Sequence, residues 1–519
     1  GERVHPRILT VDCGTQSIRV GVIDARGNRV GFEKVSYEPY FSKAPGWAEQ
    51  DPEIYWNAFC TAARRLKENQ PDALENLSGL VVSTLRDTAV AMDEEGRVLR
   101  PSIIWLDQRK STRKIRFSVK DRAIFFLIGM QKTVNTICAN AKSNWMIDHE
   151  REIWDRAYRY VTISGYFYFR LTGQWTDSIA AQIGHFPFDY RKHSWDGPSS
   201  WKWLGFGIER SKLPQLVEPG AVIGELTPRA AQACGLPKGL PVIAGASDKG
   251  CETVGCGCVA PHAASISLGT TATIQITIDR YIEPIRFMPP YPAAVKGAYN
   301  PEVEIFRGYW MVTWFKREFG TAEVIRAQEL GITPEELLNQ RLSEVPPGCH
   351  GLLLQPYWSP HVKTPIAKGA MIGFGEVHTR MHIYRAIVEG INYGLIDGME
   401  KIERQSKTPI TEIHVSGGGA QSEPICQITA DMFDREVFQP AEHETSTLGA
   451  AMIGFVGLKI HKDFAQAIRE MSRYRRVYHP NPENARIYRD LYNKAYRNIY
   501  PRLKHIYRDI KETIHYPPD

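Results

Sequence analysis

A short stretch near the N-terminus occurs a second time in the middle of the chain, and this repeat limits the folds open to it. Residues 7–11 form an apolar run, broken by Asp12-Cys13-Gly14-Thr15-Gln16-Ser17, and the chain returns through Ile18-Arg19-Val20-Gly21-Val22-Ile23-Asp24. From Ala264 the same order recurs: Ala-Ser-Ile-Ser-Leu, then Gly269-Thr270-Thr271, then Ala-Thr-Ile-Gln-Ile-Thr-Ile to Asp279. With Gly14 set on Gly269, Thr15 falls on Thr270 and Asp24 on Asp279. Each copy reads as a β-hairpin whose tight turn carries hydroxyls and backbone N–H groups. Two such hairpins 255 residues apart in a chain of 519 predict duplicated domains, because one hydrophobic core stops growing near about 250–300 residues.

Composition removes the rival classes. With 43% hydrophobic and 24% charged residues, the chain is neither collagen, coiled coil nor disordered. No apolar run approaches the roughly 18–20 residues of a membrane span. Gly1 to Arg7 lead into the first strand without an apolar signal segment, so the cytoplasm is the expected compartment. The net charge of +6 raises the question of nucleic acid, but residues 459–519 alone hold 14 Lys+Arg against 7 Asp+Glu. The basic character therefore belongs to a C-terminal segment. There Tyr488, Tyr492, Tyr496 and Tyr500 recur every four residues, one helical face. A closing helix whose Tyr stripe packs on the body is the expectation, and nucleic acid is not an expected partner. Nine cysteines, an odd number without CxxC pairs, point to buried thiols and not to a disulfide framework or zinc site. His378 and His382, four apart, read as a structural pair because no zinc-protease Glu follows His378.

Backbone amides of a Gly-containing turn form an anion nest, and an acidic residue at the strand end, Asp12, can hold a hydrated Mg²⁺ beside phosphate oxygens. The repeat thus predicts nucleotide phosphates clamped by two hairpins. A third element agrees: the strand Thr411–Val415 runs into Ser416-Gly417-Gly418-Gly419-Ala420, and a helix opens through Gln421, Ser422 and Pro424 toward Phe433. Glycines before a helix N-terminus admit a ligand close to backbone. Thr445-Ser446-Thr447-Leu448-Gly449-Ala450-Ala451 reads as a small-residue helix suited to tight packing. No Gly-Lys-Ser or Gly-Lys-Thr P-loop and no strand-borne GxGxxG occur, which leaves an actin-like mode of nucleotide binding.

These residues resemble the FGGY family of carbohydrate kinases, within the sugar kinase, Hsp70 and actin superfamily, over roughly residues 7–458. The resemblance rests on the ordered motifs Asp12–Arg19, Trp105-Leu-Asp-Gln-Arg109, Ala244-Gly-Ala-Ser-Asp-Lys249, Leu268-Gly-Thr-Thr271, Ala367–Ala370 through His378-Thr-Arg, Ser416–Ala420 and Thr445–Ala450. It implies an α/β protein of two actin-like (ribonuclease H-like) domains with an interdomain cleft: residues 1–258 for substrate and base, 259–458 for nucleotide, and the basic segment 459–519. It implies Asp248 as general base, and the residues agree, since Asp248 follows the apolar strand Leu240–Gly245 and α/β sites form at strand ends. ATP and Mg²⁺ are the implied cofactors. Phosphates would meet Asp12, Gly14, Thr15, Gln16, Ser17, Arg19, Gly269, Thr270, Thr271, Gly417, Gly418, Gly419 and Ser422, with Mg²⁺ held through water by Asp12 and Asp248.

For the substrate, Arg86-Asp87 follows the strand Leu80–Ser83, where glycerol kinases carry an Arg-Glu pair and xylulokinases a Met-His pair. An Arg beside an Asp can donate to and accept from neighbouring hydroxyls. Trp105 would stack on the carbon chain, with Lys249 as a further polar contact and Asp107 and Arg109 either as further contacts or as residues that support them from behind. Ile137 stands where glycerol kinases place a substrate Tyr, Thr273 where they have an aromatic, and Lys249 follows the base in place of Gln. Those departures point away from glycerol toward a larger, more polar substrate. Arg307-Gly308-Tyr309-Trp310 also departs from the family's small stretch near the nucleotide, and the Pro- and Tyr-rich residues 283–300 read as an insertion overlooking the cleft. The expected reaction is ATP-dependent phosphorylation of a hydroxyl on a small ketopentose or polyol. An autoinducer-2-type or glycerol-like kinase, or a non-catalytic ATP-binding regulator, are the alternatives. A homodimer is one open option for assembly.

Overall fold

A computed structural model describes residues 4–360 and 364–516. The chain folds into two compact units, one of residues 1–259, 279–300 and 444–472, the other of residues 260–278, 301–443 and 473–519.

In the first unit the main strands are β1 (Arg7–Cys13), β2 (Ser17–Asp24), β3 (Arg29–Ser36), β4 (Leu77–Thr84), β5 (Val222–Glu225) and β6 (Pro241–Ile243). They form one sheet in the order β5-β6-β4-β1-β2-β3. Strands β1, β2 and β3 make an antiparallel meander, β4 and β6 add parallel to β1, and β5 closes the edge antiparallel. The central strands are apolar throughout because both faces are covered. Leu9, Val11 and Cys13 of β1 face a core with Tyr55, Phe59 and Leu66 of the helix Pro52–Asn69, whereas Ile8 faces Leu448 and Ile453 of the helix Thr445–Gly457. Period-two alternation along one strand thus serves two cores. The helix Pro52–Asn69 starts at Asp51, whose carboxylate accepts the Glu53 N–H at 3.0 Å, with Pro52 in its first turn. The helix Thr445–Gly457 lies against the helix Asp248–Gly255 so closely that a Cβ on Gly449 would stand 1.8 Å from the Cys251 carbonyl oxygen. The small residues at 449–451 serve the close packing expected of them.

In the second unit the strands are β7 (Ala263–Leu268), β8 (Ala272–Gln275), β9 (Glu302–Ile305), β10 (Glu412–Ser416), β11 (Glu436–Pro440) and β12 (Tyr474–Tyr478). Their order is β9-β8-β7-β10-β11-β12. The pairing repeats that of the first sheet: an antiparallel meander of three, two parallel additions, an antiparallel edge. The repeat is therefore one of topology, with one offset. Four residues separate the paired Cys13 and Ile18, but only three separate Leu268 and Ala272. The return strands are one residue out of step with the sequence match, β8 ends at Gln275, and Asp279 lies in the first unit, so it is no counterpart of Asp24.

The basic segment does not stand alone as a third piece. Its helix Phe464–Met471 belongs to the first unit, and β12 is an edge strand of the second sheet. The Tyr stripe runs through the helices Pro482–Leu491 and Arg497–Ile514 and the π-helical turn between them. Tyr488, Tyr492 and Tyr496 are buried. The Tyr488 hydroxyl donates to Glu389 at 2.6 Å and accepts from Arg385 at 2.9 Å, and Tyr496 stacks on Tyr393 with centroids 5.0 Å apart. None of the nine cysteines is in a disulfide. Among the described residues no helix is long and apolar enough to cross a membrane.

Candidate active site

The first unit gathers Asp12, Arg86, Asp87 and Asp248 at the carboxyl ends of three neighbouring parallel strands, where open α/β sheets leave a crevice. Asp12, one residue before the end of β1, is paired with Ser83 of β4. Strand β4 runs out into Leu85-Arg86-Asp87, and its last residue, Thr84, bridges to Ser247 beyond β6. Ser247 caps the helix Asp248–Gly255, its hydroxyl accepting the Gly250 N–H at 3.2 Å. Asp248 is thereby the first residue of a helix, with its carboxylate accepting the Lys249 N–H at 2.8 Å.

Charge is concentrated there. Asp12 is 6% exposed, and burial pushes its carboxyl up to about 7 against the pull of Arg19, with Asp248, Glu444 and Glu252 adding to the rise. Arg19 lies 3.6 Å from Asp12 and 3.7 Å from Glu444, and Lys249 lies 3.6 Å from Glu252. Asp248, Glu444 and Glu252 thus gather around Asp12 together with Arg19 and Lys249, and carboxylates so grouped are suited to a hydrated divalent cation. Among the described residues no group of three or more His, Cys, Asp or Glu side chains is set to hold a metal directly. The geometry fits a hydrated Mg²⁺ met through water and phosphate.

The first Gly-Thr turn is braced from behind. The Gly14 N–H closes on the Ser17 carbonyl at 2.9 Å, the Tyr37 hydroxyl donates to the Gly14 carbonyl, and the Gln50 amide donates to the Thr15 carbonyl at 3.1 Å. Trp105 Nε1–H donates to the Thr15 hydroxyl at 3.0 Å. Gln16 is exposed and Ser17 buried.

In the second unit, Tyr309 and Trp310 donate their N–H groups to the Gly269 and Thr270 carbonyls at 2.9 and 3.3 Å, and Thr271 donates to the Phe306 carbonyl at 3.2 Å. The unusual Arg307–Trp310 stretch therefore backs the second turn. Gly417 has φ 82°, and a Cβ there would stand 2.9 Å from the Leu268 carbonyl carbon; a Cβ on Gly418 would meet nothing within 4 Å. Gly417 is glycine for its backbone, while Gly418 leaves an open cradle. The buried Ser416 hydroxyl beside them has no hydrogen-bond partner. Ser422, expected at the nucleotide, uses its oxygen to cap the helix Glu423–Phe433, accepting the Ile425 N–H at 3.3 Å.

The residues expected at the substrate divide. Arg86, Asp87 and Trp105 stand together at the end of β4, where the Thr88 hydroxyl donates to the Arg86 carbonyl at 3.2 Å and accepts the Trp105 N–H at 3.3 Å. Asp107 departs from the expected substrate contact. Its side chain is fully buried and accepts from the Ala48 N–H at 2.7 Å and from Arg109, which also pairs with Glu49 at 2.8 Å. Arg109 is sandwiched by Trp47 and Trp145, its guanidinium 3.8 and 4.4 Å from their ring centroids. A carboxylate so engaged is structural, since removing it would strand a buried guanidinium. Ile137 packs against the core that contains Trp145. Two further neighbours are His185, 3.0 Å from Asp87, which no motif pointed to, and Tyr291, whose ring lies 5.0 Å from the Arg86 guanidinium and which belongs to the Pro- and Tyr-rich stretch 283–300. They stand about 100 and 200 residues away in sequence, beyond the reach of any local pattern.

The chain is similar to known carbohydrate kinases along most of its length. The family models for the N-terminal and C-terminal domains of the FGGY family of carbohydrate kinases match residues 7–255 and 264–458. An uncharacterised sugar kinase of Escherichia coli is 28% identical over 98% of this chain and 96% of its own length. A xylulose kinase of Bacillus subtilis is 26% identical over 97% of this chain and 98% of its own. The crystal structure of a gluconate kinase from Lactobacillus acidophilus superposes with a TM-score of 0.81 at 21% identity, covering 98% of this chain and all of that one, a likeness of fold.

Proposed function

The chain belongs to the FGGY family of carbohydrate kinases, a two-domain actin-like fold, and is an ATP-dependent sugar kinase; on that premise we propose that it phosphorylates a hydroxyl, a terminal one, of a small ketose or polyol. Asp248 takes the proton of that hydroxyl as its oxygen bonds to the γ-phosphorus, and the bond to the ADP oxygen breaks, so ADP leaves with the electron pair. The observation that carries this reading is the convergence of Asp12, Asp248 and Arg86-Asp87 at three adjacent strand ends. Arg19 faces the same acidic group and is suited to charge developing on the transferred phosphoryl. The turns at Gly14–Ser17 and Gly269–Thr271, with Gly417–Gly419, are assigned to the nucleotide phosphates. Mg²⁺, when bound through water to Asp12 and Asp248, supplies the charge neutralisation that phosphoryl transfer requires. Trp105 gives the carbon chain an apolar wall and Arg86-Asp87 its hydroxyl contacts. The cytoplasm is the compartment we assign to it.

The test is ADP release with MgATP across ketoses, polyols, sugar acids and autoinducer-2 precursors, with Asp248→Ala alongside. One substrate standing above the rest, with turnover reduced about 10²- to 10⁴-fold in the variant, supports the assignment. Turnover retained by Asp248→Ala removes Asp248 as base. A flat panel with tight ATP binding points to a regulatory ATP-binding protein instead.

A further inference from the structure

Building on Arg86 and Asp87 as substrate contacts, we infer that His185 and Tyr291 are specificity-determining positioning residues, which fix this pair in the orientation that reads two neighbouring hydroxyl groups. Asp87 has φ 50°, a left-handed backbone uncommon for a non-glycine residue, though one that Asp adopts more readily than most. Its N–H donates to the Ile183 carbonyl at 3.0 Å, and its Oδ1 lies 3.0 Å from His185 Nδ1. An ionised carboxylate only accepts, so Nδ1 carries the proton of this bond. The loop passes so near that a Cβ on Gly184, at φ 150°, would stand 2.9 Å from Asp87 Oδ1. Only glycine fits between the two side chains. With Oδ1 taken by the imidazole, Oδ2 is the oxygen that faces a substrate hydroxyl, and Asp87 keeps 41% of its side chain exposed for that contact.

Arg86 is held from a different segment. Its guanidinium lies over the Tyr291 ring at 5.0 Å from the centroid, a face contact that sets the plane of its N–H donors. Tyr291 in turn meets Tyr190, with ring centroids 6.4 Å apart, and the Tyr190 hydroxyl donates to the Gly184 carbonyl at 3.4 Å. Asp87, His185, Gly184, Tyr190, Tyr291 and Arg86 therefore close a ring of contacts around the acceptor and the donor. Tyr291 comes from residues 279–300, which return to the first unit after the chain has entered the second. That excursion has a use: it brings an aromatic platform under the Arg86 side chain.

The experiment compares His185→Ala, His185→Asn, Tyr291→Ala, Tyr291→Phe and Asp87→Ala with wild type in MgATP-dependent ADP release, using the panel member with the highest kcat/KM, and checks folding by urea unfolding. His185→Ala and Tyr291→Ala should raise the KM for that sugar about 10- to 100-fold with little change in kcat or in the KM for ATP. His185→Asn, which keeps an N–H near the Nδ1 position, and Tyr291→Phe, which keeps the ring, should recover most of the loss. Sugar KM values unchanged in both alanine variants, or no recovery in the conservative ones, would overturn the inference. If Asp87→Ala raises KM while His185→Ala does not, only this inference fails. If Asp87→Ala leaves KM unchanged, or no panel member stimulates the wild type, the substrate site proposed above fails with it.

Discussion

The indole Nε1–H of Trp105 donates to the hydroxyl of Thr15 at 3.0 Å, across 90 residues of sequence. One hydrogen bond thus joins the residue assigned to the sugar's carbon chain to the turn assigned to phosphate. Trp105→Phe keeps the apolar wall and removes the bond, so kcat/KM for the sugar should fall about 5- to 10-fold, as one net hydrogen bond implies, and the KM for ATP should rise with it. Steady-state kinetics with each substrate varied in turn decides the matter. A change confined to the sugar would show that the bond does not couple the two.

Asp12 predicts an inverted pH dependence of stability. Its folded carboxyl, near 7, lies above its ordinary value of 3.8, so between those values the folded protein holds more protons than the unfolded chain. Stability therefore falls as pH rises through that window, and the penalty is fully present above about pH 7. Asp12→Asn should remove the slope and leave the ligand-free protein more stable than wild type at pH 8, on the order of 2–4 kcal/mol, with the difference closing toward pH 4. Adding MgADP at pH 8 should narrow the gap, because only the wild type gains from the cation. Urea midpoints at pH 5, 6.5 and 8 read this directly.

Gly417 and Gly418 should separate backbone need from ligand need. Gly417→Ala forces a Cβ into a residue at φ 82° and against Leu268, and should destabilise the protein by about 1–3 kcal/mol. Gly418→Ala has room and should leave the urea midpoint in place while weakening MgATP binding about tenfold or more. Equal loss of stability in both would mean that the open position is needed by the fold.

Tyr488→Phe removes a buried hydroxyl bonded to both Glu389 and Arg385, and should destabilise the second unit by about 1.5–3 kcal/mol, as for hydrogen bonds to charged groups. Tyr500→Phe, at a half-buried position, should change stability far less. Hydrogen exchange along residues 380–406 and 482–491 locates the effect.

The hairpins, the strand-end position of Asp248 and the small-residue helix were legible because each is written in a few adjacent residues. Gly-Thr turns, an apolar strand before an Asp, and Gly-Ala spacing carry their physics locally. The Tyr stripe was legible for the same reason, its four-residue period being that of a helix face. Strand β12 was not, because Tyr474, Arg475 and Arg476 are exposed on a sheet edge, where charge blunts the edge and hides the strand. Asp107 looked available for a substrate because nothing near it in sequence announces the Ala48 N–H that it accepts, or the Glu49 carboxylate that pairs with its neighbour Arg109. The one-residue offset of the second hairpin escaped because both return strands alternate, and alternation looks alike in either register until pairing is known. His185, and the pairing of Tyr291 with Arg86, were not legible for a plainer reason, since only the folded chain brings them to Asp87 and Arg86.

The first unit owns residues 444–472, and the helix Thr445–Gly457 is seated on β1 and on the helix that begins with Asp248. During synthesis, then, the N-terminal half emerges with Asp12, the first Gly-Thr turn, Arg19 and Asp248, yet without the helix that covers one face of its sheet. Ile8, Val81 and Ile243 must wait, exposed, until some 200 further residues have been made. A ribosome stalled between Ile243 and Thr445 holds a sheet with one bare apolar face, a target for chaperones and proteases rather than a finished domain.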